Sequence, residues 1–218
     1  MLVINPNSST AVTAAMNEAC EPLRFAGGPA IECVTLEEGP PGIETQQHVD
    51  GVVAPLLRFV EAREARYGAF VVACFSDPGL HSVRELTKKP VLGIAECGIL
   101  TALTLGQQFG VIAILRKSIP RHLRYIAALG VSDRLAAEVP LGLGVTELAD
   151  ANRTFGRLRE AGEKLRDEHG ADVVVMGCAG MAAYRKALQD ALHIPVVEPT
   201  QAAVSMAMGR MRLGWHAG

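Results

Sequence analysis

The sequence predicts an α/β protein of two similar, doubly wound lobes with mostly parallel sheets, related by a pseudo-twofold with a cleft between them. Three observations predict it. Short runs rich in Val and Ile, of strand length, alternate with stretches of helical period, the signature of parallel sheet covered on both faces. An apolar run ending in cysteine and a small-residue turn occurs twice, as VVACFSDPGL (71–80) and VVVMGCAGM (173–181). Around those two runs, the halves of the chain carry further landmarks in the same order.

LVIN (2–5) reads as a strand, and Ser8 to Thr10 cap a helix that runs to about Cys20. IECVTL (31–36) is the second strand. A helix follows, with Val49, Val52, Val53, Leu56, Leu57 and Val60 at helical spacing; Pro55 inside it demands a kink or a later start. AFVVAC (69–74) leads into a helix from about Pro78 to Thr87, with Asp77 as its N-cap and Pro78 as its first residue. PVLGIAE (90–96) is a strand before a helix over about 97–107. FGVIAIL (109–115) precedes a helix over 119–129. LAAEVPL (135–141) is read as a connecting segment, and Thr146 to His169 as helix. DVVVMG (172–177), a helix from about Met181 to Leu192, the short strand IPVVEP (194–199) and a helix from Thr200 to Arg212 complete the chain.

The repeat is traced by four landmarks. LVINPNSS lies upstream of Cys74 at nearly the distance that separates VIAILRKS from Cys178. PVLGIAE and IPVVEP place Glu96 and Glu198 at nearly the same distance after their cysteines. The expected lobes are residues 1–96 with 200–218, the last helix crossing back, and residues 97–199.

Composition excludes several function classes. Twenty-one basic and 23 acidic residues give a net charge of −2, with no basic cluster of the kind that nucleic acid or an anionic membrane surface requires. No apolar run reaches the roughly 18–20 residues of a membrane span, and MLVINPNSS has neither the charge nor the apolar length of a signal peptide. A soluble, cytoplasmic protein is expected. Hydrophobic residues make up 49% but aromatics only 5%, so the core must be aliphatic.

The five cysteines are an odd number at irregular spacing, without C-x-x-C or zinc-ligand spacing. In a reducing compartment they are free thiols. Cys20, Cys33 and Cys97 read as small buried hydrophobes. His81 and Glu85, one helical turn apart, are too few for a metal site and read as solvated helix face. GLG at 142–144 lacks the third glycine and preceding strand of a dinucleotide fingerprint, and no phosphate-binding loop is present. No cofactor and no metal are expected. The expected partners are a small-molecule substrate and further copies of the chain.

Cys74 and Cys178 are different. Each ends a strand at a strand-to-helix turn, where open α/β sheets bind ligands, and a helix N-terminus there favours thiolate over thiol. Gly177 and Gly180 bracket Cys178-Ala179, which lets backbone approach a ligand closely. Two thiols across one cleft suit the inversion of a carbon acid: one takes the α-proton, the other returns a proton to the opposite face. A thiol can do either, its ordinary pKa lying at about 8.5. Asn5 and Asn7 either bind a substrate carbonyl or serve the turn around Pro6. Glu96 and Glu198 either orient a pocket group or cap helices.

The motifs INPNSS, GPPGIET (39–45), ACFSDPGL (73–80), PVLGIAE, RKSIPRH (116–122) and GCAGMA (177–182), in this order over nearly the whole chain, resemble the aspartate/glutamate/hydantoin racemase superfamily, above all its hydantoin and allantoin racemase branch. The resemblance implies two α/β lobes, no cofactor, and Cys74 and Cys178 as paired acid and base. It also implies a pocket lined by the Asn5–Asn7 loop and by the residues after each cysteine: Phe75 and Ser76, Ala179 and Gly180. Ser76 departs from the branch's usual glycine, and Ala113 and Ile114 from its usual threonines, which bears on the substrate more than on the chemistry. Similar families decarboxylate arylmalonates or isomerise maleate; the decarboxylases lack the first cysteine, so Cys74 favours racemisation.

The expected function is therefore cofactor-independent racemisation of a hydantoin-type cyclic ureide, a 5-substituted hydantoin or allantoin. Its rivals are a racemase or isomerase of an amino acid or other small carbon acid, a non-catalytic two-lobed binder, and a dithiol redox protein, which would bring its sulfurs to about 2 Å on oxidation.

Overall fold

The computed structural model describes residues 1–216, Thr146 and Ala149 by backbone alone; the last two residues of the expected first lobe lie outside the described residues. The first half contains β1 (Leu2–Asn5), α1 (Thr10–Ala19), β2 (Glu32–Thr35), α2 (Gln46–Gly51), α3 (Val53–Glu61), β3 (Phe70–Val72), α4 (Leu80–Leu86), β4 (Val91–Gly93) and α5 (Ile94–Leu105). The second half follows with β5 (Phe109–Ala113), α6 (Ile119–Ala128), β6 (Leu135–Pro140), α7 (Ala151–Asp167), β7 (Val173–Gly177), α8 (Arg185–Leu192), β8 (Val196–Val197) and α9 (Pro199–Leu213).

The strands form two parallel four-stranded sheets, ordered β2-β1-β3-β4 and β6-β5-β7-β8. In each, the chain winds first to one side of the opening strand and then to the other. The strand order therefore reverses between β1 and β3, and again between β5 and β7, and that reversal opens a crevice at the carboxyl ends of the strands. The register Ile4↔Val72 and Ala113↔Gly177 brings those ends level.

Alternation along β1 and β3 shows what each face buries. Leu2, Ile4, Phe70 and Val72 pack with Leu56 and Val83 of the outer helices. Val3 and Val71, pointing the other way, join one continuous core with Val111, Val175 and the apolar faces of α5 and α9. α9 packs on β3, β4 and α5, and α5 packs on β7, so the two sheets share their inner helices.

Of the two outcomes Pro55 demands, the later start is found: the helix breaks at Val52 and restarts, leaving Pro55 in the first turn of α3, where no amide hydrogen bond is lost. Other expectations need correction. LAAEVPL is not a connection but the edge strand β6. Thr146 to His169 is a 3₁₀ turn followed by α7. Asp77 does not cap α4, whose N-cap is Gly79 in a left-handed conformation (φ 65°). Asp77 itself has φ 41°, and its carboxylate instead accepts the N–H groups of Ala95 and Glu96 at 3.0 and 2.9 Å, capping α5. Gly93 makes room for it: a Cβ there would collide with the Asp77 carboxylate.

Glu96 and Glu198 are not equivalent either. Glu198 caps its own helix α9, accepting from Thr200 and Gln201 N–H at 3.0 and 2.6 Å. Glu96 sits inside α5 and pairs with Arg84 at 2.5 Å. No helix among the described residues is long and apolar enough to cross a membrane.

Candidate active site

Beyond Val72, β3 runs through Ala73 to Cys74, and β7 ends at Gly177 immediately before Cys178. The close approach of β7 to β5 requires glycine at 177, where a Cβ would sit 2.6 Å from the Ile112 carbonyl oxygen. Both turns open on one cavity. Cys74, Phe75 and Ser76 line it from the first sheet, and Gly177, Cys178 and Ala179 from the second.

Asn7 reaches the cavity; Asn5 does not. Asn5 is fully buried behind it, donating from Nδ2 to Asn7 Oδ1 at 2.9 Å and to Ser9 O at 3.0 Å, while its Oδ1 accepts the Asn7 N–H at 3.1 Å. The Asn7 carboxamide oxygen also accepts from Ser9 N–H at 2.9 Å, which leaves its NH₂ as the donor available to a ligand. Thus Asn5 positions and Asn7 presents. Gly180 is likewise off the cavity wall, but its N–H is directed at the Cys178 sulfur, and a Cβ at 180 would meet Leu148 at 2.9 Å.

Further wall residues were not among the sequence candidates: Val12, Ile43, Arg121, His122 and Val145. Ile43 belongs to the GPPGIET segment, whose Glu44 accepts from Val145 N–H at 3.3 Å and pairs with Lys117 at 2.9 Å, so a loop of the first half is tied to the second across the cavity mouth. Arg121 and His122 project from the first turn of α6. Arg121 Nε donates to Ser76 Oγ at 2.9 Å. His122 packs edge-on against Phe75, 5.3 Å between ring centres, and its Nδ1 lies 3.0 Å from Glu138 Oε2. The RKSIPRH motif contained both residues; what it could not show is that α6 folds over the Cys74 turn.

The electrostatics of the two thiols differ. Burial pushes Cys74 up to about 12, opposed by the Arg121 guanidinium. Burial pushes Cys178 up to about 11, opposed by the Gly180 N–H, while Glu44 and Glu198 add negative potential. Both therefore rest as thiols. The Ser76 N–H also favours the Cys74 thiolate, so each sulfur has a backbone N–H donor and Cys74 has the guanidinium in addition. Cys97 and Cys20 are buried and off the cavity, and Cys33 is partly exposed beside Cys20. His81 and Glu85 are exposed, and among the described residues no three His, Cys, Asp or Glu side chains cluster as metal ligands would. Chemically, the site offers two titratable thiols, a guanidinium, an imidazole held by a carboxylate, and amide donors, between aliphatic walls.

A family model described as Asp/Glu/hydantoin racemase matches residues 1–207. A hydantoin racemase of Paenarthrobacter aurescens is 35% identical over 220 residues, covering 99% of this chain and 92% of that protein. Among solved structures, an allantoin racemase from Klebsiella pneumoniae superposes with a TM-score of 0.95 at 30% identity, covering 100% of this chain and 89% of the other. One from Pseudomonas fluorescens superposes with 0.93 at 26% identity, covering 100% and 92%. The two-sheet architecture and the likeness along the full length agree: this chain belongs to the Asp/Glu/hydantoin racemase family.

Proposed function

We propose that this protein is a cofactor-independent racemase of 5-substituted hydantoins, with Cys74 and Cys178 as the acid/base pair. The observation that carries the reading is that two thiols, each at the end of the third strand of its half, line one cavity. In one direction the Cys74 thiolate takes the α-proton and becomes a thiol. The electron pair left on carbon delocalises onto the adjacent ring carbonyl as an enolate, and Cys178 returns a proton to the other face, becoming the thiolate. The reverse direction exchanges the roles, as an interconversion of equal-energy enantiomers requires. In this reading Asn7 NH₂ donates to the ring, and the aliphatic Ile43 and Val145 beside it lower the local polarity, which strengthens such contacts.

The walls favour one substituent chemistry. Val12, Ile43, Ile114 and Val145 give the cavity an aliphatic side, and against that side a hydrocarbon substituent is a better fit than the ureido group of allantoin. Single enantiomers of an aliphatic 5-substituted hydantoin and of allantoin, incubated with the protein in chelator-containing buffer, should both be followed by optical rotation. We expect the hydantoin to lose rotation with the higher kcat/KM. A protein that racemises neither, or that needs added metal, would refute the reading.

A further inference from the structure

We propose that Arg121 is the cation of this reaction: it holds Cys74 as the thiolate and then receives the ring carbonyl oxygen as the negative charge moves there, with Ser76 aiming the guanidinium. The role rests on the hydantoin racemase reading for its second half, whereas the coupling of Arg121 to Cys74 stands without a substrate.

Arg121 is only 9% exposed, yet among the described residues no carboxylate lies within ion-pair distance of it. A guanidinium stays protonated even when buried, so this is a desolvated positive charge without a resident counter-ion. Its hydrogen bonds are incomplete. Nε is taken by Ser76 Oγ at 2.9 Å, one terminal nitrogen makes only a long contact of 3.5 Å to the Glu44 carbonyl, and the other has no partner among the described residues. The forked edge of the group is therefore free on the wall of the cavity that also holds Cys74. An unpaired buried charge is costly unless something answers it in the working state, and here two species do so in turn: the thiolate, then the enolate.

The surrounding charges do not serve instead. Glu138, on β6, acts on Arg121 from beyond ion-pair distance and has one oxygen engaged by His122; its other oxygen has no partner among the described residues. Arg124 on α6 repels Arg121. Asp77 faces Cys74 but is committed to the N-terminus of α5 and to Tyr125, and Glu44 pairs with Lys117. The other thiol, Cys178, has the Gly180 N–H and no guanidinium, so Arg121 distinguishes the two.

The test reads each thiol separately. The full chain is alkylated with iodoacetamide over pH 7–9.5, and modification at positions 74 and 178 is followed by mass spectrometry; kcat and KM for the hydantoin are measured beside it. In Arg121→Gln, alkylation of Cys74 should slow about tenfold or more at fixed pH while Cys178 changes less than about threefold, and kcat should fall by about 10²-fold, the loss typical of one oxyanion donor. Arg121→Lys keeps the charge but not the fork, and should restore the Cys74 alkylation rate more fully than kcat. Should Arg121→Gln fail to fold, Ser76→Ala decides: it leaves the cation in place but unaimed, and should cost about tenfold in kcat. Wild-type alkylation of Cys74 in Arg121→Gln, an equal change at both thiols, or an unaltered kcat in Ser76→Ala would overturn the proposal. If Arg121→Gln shows the alkylation difference but the wild-type chain racemises no hydantoin, the functional reading falls and, with it, the carbonyl half of the role, while the coupling to Cys74 stands.

Discussion

Cys74 and Cys178 begin from the same liability: burial penalises the thiolate, which is the form that must take a proton. Below such raised values the thiolate fraction grows with pH, so kcat/KM should rise as pH increases from 6 to 8; a profile flat over that range would speak against a thiol base. Serine replaces the sulfur with little change in shape but is far too weak an acid or base near neutrality. Cys74→Ser and Cys178→Ser should each lower turnover by about 10³-fold or more, with the circular dichroism spectrum unchanged. Serine at Cys97, Cys20 or Cys33, all off the cavity, should leave turnover within a few-fold. If a Cys74→Ser, Cys178→Ser double variant turned over, the acid/base pair would have to be sought elsewhere. Why these two cysteines could be read from sequence, and Arg121 and His122 could not, has a physical cause. A strand end announces itself by its apolar run and turn residues, so a thiol at that position has a known place in the fold. A side chain on a helix has a known face only relative to its own helix, and where α6 comes to rest is a tertiary fact. The same limit separated Asn5 from Asn7: both leave the first strand, but only the loop's hydrogen bonding decides which amide is spent on the turn.

At the scale of elements, the two halves solve one problem in different ways. The helices after β4 and β8 each start with unpaired N–H groups beside the shared core, and each start is answered by a buried carboxylate. For α9 it is its own Glu198, 2% exposed; for α5 it is Asp77, from the turn that carries Cys74. Asp77 also accepts from Tyr125 Oη of α6 at 2.6 Å, so one residue couples the thiol-bearing turn, α5 and the helix that presents Arg121. Sequence showed a D-P-G cap signal and assigned it to the nearest helix, because local spacing cannot reveal a cap supplied across the sheet. It likewise missed β6, a partly exposed edge strand without a clean alternation of apolar and polar residues. Burial raises Asp77 to about 6, against about 3.9 in an unfolded chain. The native state therefore holds this proton when the unfolded chain has lost it, so the Asp77 contribution to stability increases as pH falls through about 6 and levels off below about 4. Asp77→Asn should cost about 1–2 kcal/mol at pH 7, since one amide oxygen cannot serve three donors. Denaturant titrations should show wild type gaining on the variant between pH 6.5 and 4. Parallel curves over that interval would exclude Asp77 as the titrating group.

Across the whole molecule, the two sheets are not hinged on separate cores. Val3 and Val71 of one pack into the same apolar body as Val111 and Val175 of the other, with α5 and α9 shared between them. That continuity holds the two strand ends, and hence the two thiols, in a fixed relation without a lid having to assemble them. The halves are similar but not electrically equal: each thiol has a backbone N–H donor, and Cys74 has a guanidinium besides. Because enantiomers have equal free energy, kcat/KM must be the same in both directions whatever the asymmetry, so any inequality of the thiols is confined to kcat and KM taken singly. Isotope transfer escapes that constraint and reports on geometry. If each thiol serves one face, the proton delivered to product comes from a different sulfur than the one that received the substrate's proton. In D₂O, product of inverted configuration should carry deuterium from its first appearance, while remaining substrate stays largely protiated at early times. A single base working on both faces would instead return part of the original proton to product. The single variants sharpen the distinction. In Cys178→Ser, Cys74 should still exchange the α-proton of one enantiomer without inverting it, and in Cys74→Ser, Cys178 should do so for the other. Mass spectrometry of chirally resolved hydantoin reads both. Exchange of the same enantiomer by both variants would place the two thiols on one face of the substrate and end the two-thiol mechanism.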